Sequence, residues 1–415
     1  MKISGFAKRF GIGINTVRYY VNCGLLLPEV HNKQFRFNEK CAEDMKLILL
    51  LKQFDFSIAE IQSTLSLMRL SNLTAKDDVA DFINILENKK GVLHAESLRY
   101  EQAAEELGKY VAAVREQYDR PAALPRKMGV PIEMLQYLCC PHCGASLSLK
   151  EADLVSGQIM RADVSCPCGY KASIKNGIFV TEGRSISELD SPDLDRKFYK
   201  DLPVSWVTLF QRSFNWMLGQ MSRMDLSGKV VLENHINCYF FLFSRLDKID
   251  KNAYYIISDK YPEIVALFKG LIEQQNPDLR ILFLADSSFH YPIKKGCVDL
   301  YIDYCSINEY AVFNPEGNLL DVVLPHLHEN SEMLGTYFYF EPGSASHKKL
   351  LQLYPTCAPQ NYLMGFFRSI VKKAKLQYAA EENIGSVTDW GGANRNFLFH
   401  VANDPMTLHS YRCRL

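Results

Sequence analysis

The chain has no surplus of either charge: 47 Lys and Arg stand against 47 Asp and Glu over 415 residues. A basic coat over the whole molecule is therefore absent, and any nucleic-acid surface has to be local. No apolar run approaches the ~20 residues needed to cross a bilayer, which excludes a membrane-spanning helix and any membrane partner of that kind. No signal peptide precedes the first motif, so the 12 cysteines are expected in a reducing, cytoplasmic setting rather than in disulfides. Cys238, Cys297 and Cys305 lie in apolar surroundings with no neighbouring base in sequence, and read as core thiols rather than nucleophiles. Glycine is missing from one loop where a nucleotide-type cofactor would need it, a point taken up below. No catalytic residue is assigned.

What is present begins at the N-terminus. Ile3, Phe6, Ala7 and Phe10 recur at helical spacing, Gly11 and Gly13 supply a turn, and Asn15-Thr16-Val17-Arg18-Tyr19-Tyr20 follows as a second helix. That order reads as a helix-turn-helix, whose second helix enters the major groove with its first turns towards base edges. Asn15, Thr16, Arg18 and Tyr19 carry the groups for such contacts, and Gly24 stands where a left-handed helix end is needed. The segment from Val30 to Asn38 alternates apolar and polar with a turn at Asn32-Lys33, a wing from which Lys33 and Arg36 would meet phosphate. Residues 1 to 40 carry seven Lys and Arg against Glu29 and Glu39, a local basic patch on a neutral chain.

Phe6-Ala7-Lys8, Thr16-Val17-Arg18-Tyr19-Tyr20, Gly24-Leu25-Leu26, Phe35-Arg36-Phe37 and the run from Phe54 to Ile61 occur in the order found in MerR-type bacterial transcription regulators. Over residues 1 to 71 the sequence resembles that family, with Gln34 standing where the wing usually carries glycine. The resemblance implies a winged helix-turn-helix that dimerises on a two-fold-symmetric element of double-stranded promoter DNA. It also implies an indirect effect on RNA polymerase, through distortion of an over-long promoter spacer.

Residues 72 to 120 read as one long helix. Val79, Leu86, Leu93, Tyr100, Leu107 and Val114 fall seven apart, and Phe82, Ala103 and Tyr110 form part of a second stripe that Lys89 and Glu96 interrupt. A heptad seam of that length buries its face against a partner, so a homodimer helix is expected; packing on the chain's own C-terminal part is the alternative. The run from Arg120 to Arg126 reads as a linker.

Between residues 121 and 183, Cys140-Pro-His-Cys143-Gly144 and Cys166-Pro-Cys168-Gly169 form two tight knuckles around an expected hairpin. Four thiolates suit tetrahedral Zn²⁺ and leave no open position, so the metal would be structural; Cys139 and His142 are adjacent spares. The run from Ile174 to Phe179 resembles the zinc-ribbon leader that precedes many methyltransferase domains.

From residue 184 to 415, short apolar strands at 229–233, 254–259, 281–286, 299–303 and 335–340 alternate with helical stretches such as 261–274 and 319–328. This pattern predicts an α/β doubly wound, Rossmann-like parallel sheet, closed by an antiparallel hairpin of 397–401 and 408–414. Acidic residues at the strand ends (Glu233, Asp259, Asp286, with Asp299 opening the fourth strand) resemble the order in class I S-adenosylmethionine-dependent methyltransferases. The resemblance implies a ligand pocket at Glu233, His235, Asn237, Asp259 and Asp286, with Asp259 towards ribose and Asp286 towards adenine. His235, Asn237 and Tyr239 occupy the family's three glycine positions, where side chains would fill the space of S-adenosylmethionine. The expected domain keeps the fold, has lost ordinary methyl transfer, and serves a small-molecule effector. A functional methyltransferase fused to a DNA-binding domain is the alternative.

Overall fold

A computed structural model describes the chain except residues 32–33, 120–126, 184–190, 197–200, 238, 276–277, 315–316 and 395–396. The wing turn with Lys33, the linker 120–126 and Cys238 therefore lie outside the described residues. Compact contacts divide the chain into two units, Met1–Pro121 and Ala122–Leu415. Among the described residues no helix is long and apolar enough to cross a membrane.

The first unit is α1 (Ile3–Phe10), α2 (Ile14–Asn22), a two-stranded wing of β1 (Glu29–His31) and β2 (Gln34–Arg36), α3 (Glu39–Gln53), α4 (Ile58–Ser71) and α5 (Lys76–Asp119). Gly11, at φ 66°, ends α1 in the left-handed region and sets the tight turn into α2. Phe6, Val17, Leu25, Leu26, Met45, Ile48 and Ile61 bury one core between these short helices. α4 starts on a capping box, with the Ser57 hydroxyl accepting from the Glu60 amide and the Glu60 carboxylate accepting from the Ser57 amide. Ile85 and Leu86 of α5 still pack on this core. From His94 to Gln117 every residue of α5 is exposed, Leu98, Leu107, Tyr110 and Val114 included.

The second unit is built on one sheet of twelve strands. Its antiparallel end is β3 (Val130–Pro131), β4 (Ser148–Val155), β5 (Gln158–Ser165), β6 (Lys171–Lys175) and β7 (Ile178–Thr181). There follow α6 (Val204–Met221), β8 (Val230–Asn234), β9 (Tyr254–Asp259), α7 (Pro262–Gln275), β10 (Arg280–Ala285), β11 (Val298–Tyr304), α8 (Ser306–Phe313) and α9 (Leu319–Val323). The chain ends with β12 (Leu327–Tyr339), α10 (Ala345–Leu353), α11 (Met364–Lys373), β13 (Gln377–Val387) and β14 (Met406–Arg414). The order across the sheet is β13-β14-β12-β11-β8-β9-β10-β7-β6-β5-β3, with β4 also on β5. The run from β12 to β7 is parallel, and both flanks are antiparallel. With helices on both faces, this is the doubly wound, mixed α/β sheet expected from the strand pattern.

Each central strand is buried on both faces, as helix-covered parallel strands must be. Val231, Ile257 and Ile302 face a core shared with α6 and α7, whereas Leu232, Ile256 and Tyr301 face one shared with α8, α9 and α11. The cysteine module joins the sheet directly: Phe283, Leu284 and Ala285 of β10 pair in parallel with Ile178, Phe179 and Val180 of β7. The leader-like run around Asn176-Gly177 is the β6–β7 hairpin, both turn residues having positive φ, the conformation that favours Asn-Gly. Gly177 also lies against the Met128 carbonyl, where no Cβ fits.

Two sequence expectations are corrected. The closing hairpin pairs β14 with β13, not with 397–401. Residues 397–401 instead form turns that press Phe397 and His400 against Trp206, with ring centroids 4.5 and 4.7 Å away. β13 is an edge strand with largely exposed side chains, so Ala379-Ala380-Glu381-Glu382 carries no strand-like apolar alternation. The helix expected over 319–328 stops at Val323. Pro325 lacks the amide that a longer helix needs, and β12 starts at Leu327.

Candidate functional sites

Three groups of residues can carry chemistry. The first is the exposed face of α2. Val17 and Tyr20 are buried and hold the helix on its core, which turns Asn15, Arg18 and Tyr19 to the surface with Thr16 half-buried. Tyr19 is 51% exposed, a large aromatic side chain at the surface. Arg36 is exposed at the end of the wing, in register with Glu29. Arg9 is engaged nearby in a two-pronged ion pair with Glu39 at 2.9 and 3.2 Å. This face thus presents the side chains of Asn15 and Arg18 and the ring of Tyr19 at the surface.

The second is the cysteine cluster. The sulfurs of Cys140, Cys143, Cys166 and Cys168 all lie within 4.8 Å of one another, with Cys140 to Cys168 at 3.4 Å and Cys143 to Cys166 at 3.5 Å. A tetrahedral thiolate site with ~2.3 Å metal–sulfur bonds has sulfur–sulfur edges of about 3.8 Å, so the four can hold one metal ion. Each knuckle closes on itself: the Gly144 amide donates to the Cys140 carbonyl at 2.8 Å and the Gly169 amide to the Cys166 carbonyl at 3.0 Å. Both glycines have positive φ, 75° and 95°. Cys139 is buried outside the cluster, and His142 turns its ring edge towards Tyr170.

The third is the carboxyl end of the parallel strands, beside β8, where the strand order reverses. In open α/β sheets ligands bind there. Glu233, His235, Asn237, Asp259 and Asp286 are all brought to this place, and all are buried. Glu233, Asn237 and Asp259 are hydrogen-bonded by the fold itself. Both Glu233 oxygens accept from backbone, the Phe241 amide at 2.6 Å and the Leu242 amide at 3.0 Å. Burial nevertheless pushes its carboxyl up to about 8. Asp259 accepts from the Asn237 amide at 2.9 Å through one oxygen and from the Tyr261 amide at 3.0 Å through the other. The Asn237 side chain is tied in turn to the 191–196 segment, accepting from the Asp193 amide and donating to the Ser191 carbonyl. Asp286 accepts from the Thr181 and Ser288 hydroxyls, each at 2.7 Å, through one oxygen, while its other, buried oxygen has no hydrogen-bond partner among the described residues.

His235 sits in the left-handed region at φ 54°, its ring stacked 5.8 Å from Phe289 and edge-on to Tyr310. Neither ring nitrogen has a hydrogen-bond partner among the described residues. Burial, aided by the positive charge of Lys260, lowers its pKa to about 3. A neutral imidazole enclosed by rings is a packing element and has no partner for proton transfer.

A cavity of about 400 Å³ opens beside this end of the sheet, and none of the five strand-end residues lines it. Its walls are aromatic: Phe210 and Phe214 of α6, Tyr239 and Phe240 of the loop after β8, Phe268 of α7 and Tyr304 of β11. Arg196 and Arg245 are the charged residues among the described ones in the lining. This cavity escaped the sequence analysis.

Residues 1–67 match the family model described as MerR HTH family regulatory protein. A curated relative, the HTH-type transcriptional regulator ZntR homolog of Haemophilus influenzae, is 34% identical over 79 residues. That alignment covers 19% of this chain and 58% of the relative, so the chain spans little more than half the length of the curated protein that it matches. Among solved structures, phosphoethanolamine N-methyltransferase 2 of Haemonchus contortus is similar at 11% identity and a TM-score of 0.37, over 56% of this chain and 61% of that one. The geranyl diphosphate C-methyltransferase of Streptomyces coelicolor is similar at 9% identity and a TM-score of 0.37, over 48% and 75%.

Proposed function

We propose that this chain is a homodimeric, cytoplasmic transcription regulator of the MerR type, which binds a symmetric element in double-stranded promoter DNA and acts on RNA polymerase indirectly. The observation that carries this reading is the polar face of α2, with Asn15, Arg18 and Tyr19 exposed, Thr16 half-buried, and Arg36 exposed on the wing. Contacts of these types divide between base edges and phosphates, which gives both sequence preference and salt dependence. Dimerisation falls to α5, whose apolar residues beyond His94 are exposed among the described residues. The four cysteines hold Zn²⁺ as a structural ion: four thiolates saturate a tetrahedral centre and leave no site for water. In such a centre the metal ties the two knuckles together, and Cys140, Cys143, Cys166 and Cys168 are the residues that would bind it.

The methyltransferase-like domain is a sensory domain in this reading and does not transfer methyl groups. The support is the commitment of both Asp259 oxygens and both Glu233 oxygens to the chain's own amides, together with the side chains at 235, 237 and 239. Retention of Asp259 and Asp286 at the strand ends favours the alternative, a working methyltransferase. Transfer of label from methyl-labelled S-adenosylmethionine to any acceptor would establish that alternative.

Selection of binding sites from random duplex DNA, followed by footprinting, tests the regulator reading. The expected result is a two-fold-symmetric protected element bound by a dimer. A chain that sediments as a monomer and selects no sequence would contradict it.

A further inference from the structure

We propose that the aromatic cavity binds a compact amphipathic organic anion, one or two fused or linked rings bearing a carboxylate or sulfonate, and that this is where the sensory domain takes its ligand. The inference rests on the sensory reading for its purpose but not for its site.

The cavity has a structural cause. α6 packs over β12, β13 and β14, and α7 packs over β7, β9 and β10. On that same face, the connection from β8 to β9 would ordinarily carry a helix covering the sheet between them. Here residues 235–253 contain only a short 3-10 turn, Leu242–Arg245. Ile236, Phe241, Leu246 and Ile249 from this irregular segment plug part of the gap, and what remains is the hollow of about 400 Å³. That volume lies at the lower end of the usual range for small-molecule sites.

The lining states the ligand class. Phe210 and Tyr239 lie 5.3 Å apart at 29°, Tyr239 meets Tyr304 edge-on at 5.5 Å, and Phe240 meets Phe268 edge-on at 4.9 Å. Ring edges and faces offered from several sides fit a flat ring. Among the described residues the lining carries two arginines and no acidic residue. Arg196 serves the wall: it lies over the Phe268 ring at 4.8 Å and donates to the Asn237 carbonyl. Arg245 differs, because its buried Nε has no hydrogen-bond partner among the described residues. A buried guanidinium nitrogen without an acceptor is costly, and an anionic oxygen supplied by the ligand would satisfy it.

Two fluorescent probes of similar shape test this on the full-length, zinc-loaded protein: 8-anilinonaphthalene-1-sulfonate, an anion, and N-phenyl-1-naphthylamine, its neutral counterpart. Both should bind saturably at one site per chain. Arg245→Gln should weaken the anion about tenfold and leave the neutral probe within twofold. Leu271→Trp, which fills the cavity from α7, should abolish binding of both. The proposal is overturned if neither probe saturates, if both bind and neither substitution changes them, or if Arg245→Gln weakens the two equally. The Arg245 variant guards against misfolding as an explanation, since its Nε makes no hydrogen bond within the described chain. Saturating the site with the anionic probe and then measuring operator affinity separates the two readings. A site that fills while operator affinity stays constant would count against the sensory role alone.

Discussion

The α2 face and the strand-end site are built from similar groups (amides, hydroxyls, charged side chains and rings), yet they stand in opposite states. On α2, Asn15, Arg18 and Tyr19 are exposed and the helix is held by Val17 and Tyr20 behind them. At the strand ends Glu233, Asn237 and Asp259 are buried, and their hydrogen-bonding capacity is taken by the chain's own backbone. Polar groups that a fold leaves open are available to a partner. Polar groups that a fold closes contribute to stability, since uncovering their backbone partners would leave buried donors unmet.

That contrast makes the two regions respond differently to substitution. Asp259→Ala strips the acceptors from the buried Asn237 and Tyr261 amides, and at about 1–3 kcal/mol each it should cost about 4 kcal/mol in urea unfolding. A change within 0.5 kcal/mol would mean that the site is not closed, and the comparison would fail.

His235 gives a second lever, through pH. Its folded pKa, about 3, lies below the ordinary value of 6.5, so the unfolded chain takes up the proton first as the solution is acidified. The stability from this neutral ring is complete above about pH 6.5 and is lost progressively between there and pH 3. At pH 5 the loss is about 2 kcal/mol, and His235→Phe, which keeps a ring against Phe289, should remove that part of the pH 7 to pH 5 decline. An unchanged decline would show that the imidazole is protonated in the fold.

The open region should behave in the reverse way. Arg18→Ala should lower operator affinity about tenfold, roughly 1.4 kcal/mol, with unfolding stability within 0.5 kcal/mol of the parent. Smaller still, Arg36→Ala on the wing should weaken all sequences alike and reduce the slope of log affinity against log salt by about 1. Loss of stability in either variant would blur the distinction between the two regions.

Sequence reasoning reached the parts governed by local rules. The first helices and the heptad helix follow from short-range periodicity, the cysteine knuckles from spacing, and the strand-end acids from the strand pattern together with a resemblance. It missed what depends on distant partners. The pairing of β7 with β10, which merges the cysteine module into the main sheet, joins residues about a hundred apart. β13 was missed because an edge strand in water has no apolar rhythm to display. The cavity was missed because it results from an absent helix. The only trace is Tyr239 to Phe243, an apolar run with no 3.6-residue period where a helix would be expected.

The closure of the strand-end site rests on Glu233 and Asp259 being held by the chain's own amides. Calorimetric titration of the full-length, zinc-loaded protein with S-adenosylmethionine and S-adenosylhomocysteine tests it most directly. The account predicts no saturable heat up to millimolar ligand; micromolar binding at one site per chain would contradict it.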